Sequence, residues 1–292
     1  MATTAQWIEG ARLRTLPAAI SPVLTGTAIA LSEGSARYLL AALAMVVALA
    51  LQIGVNYAND YSDGIRGTDE VRVGPQRLVG SGAAKPSQVK FAAFACFGLA
   101  GVVGLVIVVI TAQWWLLAVG AACIAAAWFY TGGEHPYGYA GLGELFVFVF
   151  FGLVAVAGTV YIQLGGVTAS TWIAATAMGA LSCAILTANN LRDLANDLAV
   201  GKRTLPTRLG DGRTRVLFVV LLALPSICVV LLGWLSSWWM LSGLFGYVFL
   251  ITPIRVVRSG AQGMALVQVL KRVGYGQLSM SFCLLAGALM VS

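Results

Sequence analysis

Charged side chains are scarce in this sequence. They make up 10% of its 292 residues, whereas soluble domains usually contain about 25%. The chain also has a single histidine, and its five cysteines stand alone rather than in CxxC pairs. The first deficit excludes an ordinary soluble domain. The second leaves no pattern for a zinc site or a disulfide framework. The segment before Ala18 is too polar for a cleaved signal peptide, so none is expected.

Apolar residues are abundant and grouped. They form 59% of the chain and fall into blocks of roughly the 20 residues that cross a bilayer. Because backbone groups in hydrocarbon must be paired within their own segment, these blocks should be helices. The sequence therefore predicts an all-α, single polytopic membrane domain over residues 1–292. Nine blocks are expected, near residues 17–33, 37–58, 88–111, 114–130, 141–164, 170–190, 214–235, 238–257 and 272–291.

Positive charge is distributed unevenly between the two sides of this arrangement. Of the 18 lysines and arginines, only Arg37 falls outside the face shared by the N-terminus and the even-to-odd connections. The positive-inside rule puts that face in the cytoplasm and, with nine crossings, the C-terminus outside. The net charge of +7 is thus explained by the bilayer, and no nucleic-acid partner is expected. Function should lie in the cytoplasmic loops, at about 59–87, 131–140 and 191–213.

Two stripes of polar residues continue the apolar blocks at their predicted cytoplasmic ends. Each is spaced to lie along one face of a continuing helix: Gln52, Asn56, Asp60 and Asp63 after the second block, and Asn189, Asp193 and Asp197 after the sixth. A single Asn or Asp there would most simply form a cap or a turn. As sets they oppose the helix dipole, repel one another and sit where ionisable groups are costly. They therefore require a compensating positive charge.

A divalent cation is the natural compensator. Hard oxygen ligands without paired His or Cys favour Mg²⁺. This ion takes only one or two protein carboxylates and completes its shell with water and phosphate. Two acid pairs predict two Mg²⁺ ions that hold a diphosphate. Basic residues that could neutralise the phosphate follow both stripes, although topology alone would also place positive charges there: Arg66, Arg72 and Arg77, then Lys202 and Arg203.

These motifs resemble those of a known family. Residues 59–63 (NDYSD) are similar to the NDxxDxxxD motif of the UbiA superfamily of intramembrane prenyltransferases, and residues 193–197 (DLAND) to its DxxxD motif. The last Asp of the first motif is replaced by Gly67, with Asp69 nearby. The sequence around these motifs, over about residues 11 to 210, is most similar to the branch of the superfamily that prenylates 1,4-dihydroxy-2-naphthoate.

The resemblance implies a fold, a location and a reaction. Nine helices would surround a central cavity in a bacterial cell membrane, with the active site facing the cytoplasm and a lateral opening to lipid. A polyprenyl diphosphate would alkylate 1,4-dihydroxy-2-naphthoate, with loss of CO₂ and diphosphate, to give demethylmenaquinone.

Roles for individual residues are hypotheses at this point. Asp60 and Asp63 would hold one Mg²⁺, and Asp193 and Asp197 the second. Asn59 is a further candidate metal ligand, and Asn56 and Asn189 would lie in or next to the metal coordination shell. The remaining candidates are grouped by partner: Arg66, Arg72, Arg77, Lys202 and Arg203 near diphosphate, Tyr130 against the acceptor ring, and Arg14 for its carboxylate.

Three alternatives stay open. A prenyltransferase of the same superfamily could use another aromatic acceptor. A transporter could bind an ion or small substrate with similar residues on broken helices, but it predicts acids near the bilayer midplane rather than at one interface. A scaffold without catalysis would leave the paired acids unexplained.

Overall fold

A computed structural model describes residues 2–67 and 77–291 of the chain. Within these ranges all regular secondary structure is helical, which confirms the predicted all-α class. In the described part of the chain a short N-terminal helix, Thr4–Gly10, is followed by nine main helices: α1 (Leu16–Ser32), α2 (Tyr38–Ile65), α3 (Pro86–Thr111), α4 (Leu116–Phe129), α5 (Gly143–Leu164), α6 (Ala169–Arg192), α7 (Asp211–Leu235), α8 (the bent pair Trp238–Phe249 and Ile251–Arg258) and α9 (Met264–Leu289).

The helices differ in their capacity to cross a bilayer. Among the described residues, 6 helical stretches are long and apolar enough, or 7 if the bent pair α8 counts as one span. The first of them, Thr4–Ser32, combines the N-terminal helix with α1. With 14 residues, α4 is about 21 Å long, shorter than a hydrocarbon core of about 30 Å. Helix α9 is not among the 6 and carries Lys271 and Arg272 in its first half. The chain is therefore a multi-pass membrane protein, while nine crossings remain a prediction.

Both polar stripes continue their helices, with one difference between them. Helix α2 extends beyond the predicted limit at residue 58 to Ile65 and stops before Gly67, whose φ of 70° suits a helix end. Helix α6 ends at Arg192, and a short helix, Leu194–Ala199, follows Asp193. The Asp197 N–H still donates to the Asp193 carbonyl at 2.8 Å. The predicted helical spacing is therefore kept across a small interruption.

The larger hydrophobic core lies among α1, α5, α6, α7, α8 and α9. Its largest buried side chains include Ile29, Met178, Phe218, Leu250 and Met280. A smaller core joins the N-terminal helix to α2 and α3. A cavity lies in the space between these two cores.

That cavity has a volume of about 580 Å³ and is lined by α1 to α5. Its wall runs along α2 from Ala44 to Asn59, a depth of about 22 Å at 1.5 Å per residue. Most lining side chains are apolar. The polar ones gather towards the C-terminal end of α2: Gln52, Asn56, Asn59, Tyr130 and Tyr137.

Helix α5 forms one side of the cavity and has an unusual centre. Its backbone is π-helical over Phe148–Ala157, a conformation that is rare and usually limited to a single turn. On its other side α5 crosses α6 closely, since a Cβ at Gly152 would lie 2.7 Å from both the Ala175 carbonyl oxygen and the Gly179 Cα. Small residues permit such close helix contacts in membranes.

The Gly152→Ala variant should therefore be destabilised. Its new methyl group meets backbone atoms that cannot rotate away, so we expect a cost of about 1–3 kcal/mol, measured by unfolding titration in mixed micelles. Gly158→Ala is the matched control in the same helix, because a Cβ there has no neighbour within 4 Å. Equal stability of the two variants would contradict the close crossing.

Candidate active site

Asp60 anchors the segment that returns towards α3. Its carboxylate is fully buried. Oδ2 accepts the Leu78 N–H at 2.8 Å and Oδ1 accepts the Val79 N–H at 3.0 Å. The Arg12 guanidinium also attracts this carboxylate. Asp60 thus fixes the backbone of Leu78 and Val79 and, with it, the position of the adjacent Arg77.

Asp63, one turn further along α2, is held by side chains from two other segments. The Arg77 Nη2 donates to its Oδ2 at 3.3 Å, and the Tyr139 hydroxyl donates to its Oδ1 at 2.6 Å. Asp63 and Arg77 are both buried. The carboxylate therefore has a charge partner in the return segment and a neutral donor in the α4–α5 connection.

Tyr139 connects the two acidic motifs. While its hydroxyl binds Asp63, its ring lies 4.7 Å from the Lys202 Nζ and 5.4 Å from the Arg66 guanidinium carbon. Lys202 is also 3.8 Å from Asp197 Oδ1. A continuous path of contacts thus runs from Asp63 through Tyr139 and Lys202 to Asp197 and brings the two motifs together.

The second motif has its own partners. Arg192 Nε and Nη2 donate to the two carboxylate oxygens of Asp193 at 2.7 and 2.6 Å, and Nη2 also donates to Asn189 Oδ1 at 2.9 Å. Asp197 is buried, and its Oδ2 accepts from the Thr204 hydroxyl at 3.5 Å. Each acid of this motif is therefore next to one cation.

The asparagines of the first stripe reinforce the site from α2. Asn59 Oδ1 accepts from the Thr131 hydroxyl at 2.7 Å, which ties α2 to the α4–α5 connection. Arg66 strengthens the same link by donating to the carbonyls of Thr131 and Gly133. Asn56 instead bonds to Ala11 and Thr15 on the N-terminal side.

Two of the predicted residues within the described ranges are not joined to this network through their side chains. Arg14 is exposed, and no hydrogen bond or ion pair of its side chain occurs within the described ranges. The Arg203 side chain is also exposed, although its backbone N–H donates to the Tyr139 carbonyl at 3.1 Å. Arg72 lies outside the described residues, as does Asp69, which stands near the Gly67 departure from the family motif.

Sequence reasoning did not single out Tyr139, Arg192 or Thr204. Tyr139 was visible as one of several aromatic residues in the loop near 131–140, and Arg192 was counted only towards topology. Glu144 opens α5, at a helix N-terminus where the helix dipole favours an acid. It is buried, and its Oε1 accepts from Asn190 Nδ2 at 3.1 Å.

Two tyrosines form the wall where the polar site meets the apolar cavity. The rings of Tyr130 and Tyr137 are edge to face with centroids 5.5 Å apart. Burial raises the pKa of the Tyr137 phenol, and burial together with the nearby Glu144 carboxylate raises the pKa of Tyr130. Both phenols keep their protons near neutral pH, so they offer aromatic surface and donors rather than bases.

The residues present fit Mg²⁺. Within the described ranges no three His, Cys, Asp or Glu side chains converge on one point. Mg²⁺ does not need such a cluster, because one or two carboxylates with water and phosphate satisfy it. Asp63 and Asp197 supply hard oxygen donors, and the adjacent Arg77 and Lys202 are suited to anionic oxygens.

Comparison with known proteins agrees with this geometry. Residues 19–266 match the model of the UbiA prenyltransferase family. A Mycobacterium tuberculosis protein named 1,4-dihydroxy-2-naphthoate octaprenyltransferase is 52% identical over 99% of this chain and 98% of its own.

Solved structures share the fold. The apo structure of a UbiA homolog from Aeropyrum pernix has a TM-score of 0.72 at 15% identity, covering 96% of this chain and 98% of that one. A UbiA homolog from Archaeoglobus fulgidus bound to GPP and Mg²⁺ has a TM-score of 0.69 at 11% identity, covering 96% and 99%.

The contact between Arg77 and Asp63 can be tested by a double-mutant cycle. We expect Arg77→Met to destabilise the protein by about 3 kcal/mol, because it leaves a buried carboxylate without its cation. Asp63→Asn in the same chain should recover part of that loss, with a coupling of about 1–3 kcal/mol. The measurement is an unfolding titration in mixed micelles. Arg258→Met, at an exposed position, is the control, and strictly additive losses would contradict the contact.

Proposed function

Because the chain belongs to the UbiA prenyltransferase family, we propose that it transfers a polyprenyl chain from polyprenyl diphosphate to 1,4-dihydroxy-2-naphthoate. The allylic C–O bond to diphosphate breaks, a C–C bond to the ring forms, and the ring carboxylate leaves as CO₂. The product at this oxidation level is the quinol form of demethylmenaquinone, a precursor of menaquinone. The activity named for the mycobacterial relative, which matches this chain from end to end, supports this acceptor.

The observation that carries the proposal is the pairing of a charged site with an apolar cavity. Acids and bases gather at the cytoplasmic ends of α2 and α6, and the cavity begins beside them at Asn59 and Tyr130. A polyprenyl diphosphate has the same division, with a polyanionic head and a long hydrocarbon tail. The head therefore binds between the two motifs and the tail extends along α2.

The metal-binding residues of the proposal are the four motif aspartates. Asp60 and Asp63 serve one Mg²⁺ ion, and Asp193 and Asp197 a second. Asp60 already accepts two backbone N–H groups, and each of its oxygens retains a further lone pair. Mg²⁺ held by these carboxylates would supply the positive charge that offsets the negative charge of the departing diphosphate.

The chain's own cations and amides complete the head-group site. Lys202 lies between the motifs, where it can donate to diphosphate oxygens as well as to Asp197. Arg66, Arg72 and Arg203 are proposed for the same anion, and Arg77 holds Asp63 in place. Asn56, Asn59 and Asn189 position the backbone and side chains around the acids rather than carry charge.

The acceptor is proposed to lie at the aromatic wall. Tyr130 offers its ring at the junction of site and cavity, and Arg14 is the candidate partner for the acceptor carboxylate. Apolar side chains from α3, α4 and α5 exclude water from the cavity, which protects an electron-deficient allylic carbon from hydrolysis.

The arrangement in the membrane is also part of the proposal. In the proposed arrangement the helices cross the bilayer nine times. The N-terminus and the aspartate motifs lie in the cytoplasm of a bacterial cell, because nearly all positive charge lies on that side. The C-terminus is outside. Helices α4 and α9 complete the set of spans beyond those that length and composition identify.

Loss of one motif carboxylate should stop transfer. We expect Asp63→Asn and Asp193→Asn each to lower kcat by at least about 100-fold, because electrostatic stabilisation of the departing group is lost. The assay follows prenylated product from geranylgeranyl diphosphate and 1,4-dihydroxy-2-naphthoate with Mg²⁺. Asp211→Asn, an exposed acid paired with Arg215, should keep the wild-type rate.

The same assay separates the alternatives. Product with 4-hydroxybenzoate but not with the naphthoate would overturn the acceptor and keep the family chemistry. Near-normal turnover of the Asp63 and Asp193 variants at saturating Mg²⁺ would overturn the metal assignment.

Orientation is testable by labelling. Ser259→Cys and Ser35→Cys place exposed thiols at opposite ends of the helices. In intact spheroplasts a membrane-impermeant maleimide should label the Ser35→Cys protein above the wild-type background and should spare Ser259→Cys until the membrane is opened. The reverse pattern would contradict a cytoplasmic active site.

A further inference from the structure

A chain of hydrogen bonds determines how the Gln52 side chain is oriented. Thr15 donates its only hydroxyl proton to the Arg12 carbonyl at 2.9 Å, so its oxygen can otherwise only accept. Asn56 Nδ2 donates to the Ala11 carbonyl at 2.8 Å and to Thr15 Oγ1 at 2.9 Å. Because carbonyl oxygens cannot donate, the Asn56 amide nitrogen must face Ala11, and its Oδ1 faces Gln52.

This arrangement leaves one acceptor unused. Gln52 Nε2 donates to Thr15 Oγ1 at 3.1 Å and to Asn56 Oδ1 at 3.3 Å, which uses both of its protons. A flipped amide would bring two oxygens together at Asn56. The Gln52 Oε1 atom is consequently fixed on the other side, where it has no hydrogen-bond partner within the described residues.

Gln52 is a lining residue of the cavity and is itself 6% exposed. A buried carbonyl without a donor is destabilising, and a helix could avoid that cost with an apolar residue. The unused atom can accept a proton but cannot supply one. A ligand that binds Gln52 Oε1 must therefore bring an O–H or N–H donor into the cavity.

Among the substrates of the proposed reaction only one has such a donor. The prenyl tail has no polar hydrogen, and the diphosphate is an acceptor that binds at the acids. The hydroxyl groups of the aromatic acceptor are donors. Gln52 lies 11 residues before Asp63 on α2, about 16 Å along the helix axis, on the cavity side of the head-group site.

We propose that Gln52 Oε1 accepts a hydrogen bond from a ring hydroxyl of the acceptor and makes the enzyme selective for dihydroxylated rings. The proposal rests on the proposed function for the identity of the ring. It assigns to the triad of Thr15, Asn56 and Gln52 the task of presenting a preoriented carbonyl. Selectivity of this kind can be large, because a ring without the hydroxyl leaves a buried polar atom unpaired.

The test measures binding without turnover. Isothermal titration calorimetry on the full-length protein in nanodiscs compares 1-hydroxy-2-naphthoate with 4-hydroxy-2-naphthoate, each of which lacks one hydroxyl. We expect the wild type to bind one of them about tenfold more tightly than the other. In Gln52→Met, which keeps the side-chain length, the two should bind within about twofold, through weaker binding of the preferred ring.

Thr15→Val is the control for a purely structural role. It removes one of the two acceptors of Gln52 Nε2 but keeps Asn56 Oδ1, which Ala11 still orients and which still turns the Gln52 carbonyl towards the cavity. The tenfold difference between the two rings should therefore be retained, whereas a purely structural role of the network would abolish it. Gln52→Asn, which withdraws the carbonyl by one carbon, replaces Gln52→Met if the latter does not fold and should also narrow the gap.

The outcomes are distinct. Equal affinities of the wild type for the two rings, or an unchanged affinity ratio in the Gln52 variant, would overturn the inference. Absence of prenyl transfer to 1,4-dihydroxy-2-naphthoate by the wild type would overturn the proposed function instead. A gap that persists in that case and closes in the Gln52 variant would still support the assigned hydrogen bond.

Discussion

A carboxylate at the end of a lipid-embedded helix must find its partners outside that helix, and Asp63 shows how this chain satisfies the requirement. Its own turn of α2 offers no cation that reaches it, and the helix dipole opposes it. The compensation comes from Arg77 in the return segment and from Tyr139 in the α4–α5 connection. Three separate parts of the chain therefore meet at one carboxylate, and the geometry of the active site follows from that meeting.

The same constraint joins the two motifs into one site. Tyr139 is neutral, so it can contact an anion at its hydroxyl and a cation at its ring face without a charge of its own. Asp63 uses the first property and Lys202 the second. Lys202 therefore contacts both the Asp197 carboxylate and the ring face of Tyr139. An incoming diphosphate then encounters cations that are already positioned by protein contacts.

Much of this site could be predicted from residue spacing, and the remainder could not, for identifiable reasons. The stripe of Asn56, Asp60 and Asp63 depends on the helical repeat alone, which is local. The two backbone N–H groups on Asp60 come from Leu78 and Val79. Their approach depends on how the chain folds back after α2, which no local pattern encodes.

The other differences have similar causes. Tyr139 was one aromatic residue among several in its loop, and only the tertiary arrangement distinguishes it. Arg14 stays a prediction for the acceptor carboxylate; its side chain is exposed, and Arg12 is the arginine that attracts Asp60, which no local pattern distinguishes. Hydropathy identified nine blocks because it measures composition, but the crossing capacity of α4 depends on its length.

The π-helical centre of α5 has a consequence for how this protein can vary. Each residue added to or removed from an α-helix rotates everything beyond it by about 100°. Phe150 and Val154 lie within the widened segment, and Thr159 and Ile162 lie beyond it on the same cavity wall. A π-helical turn holds about one residue more than an α-helical turn, so a natural variant that lost one residue inside Phe148–Ala157 would return to α-helical winding and keep Thr159 and Ile162 on the cavity wall. A deletion beyond the π-helical segment has no such reserve and would reshape the tail-binding surface, while every aspartate of the head-group site stayed in place.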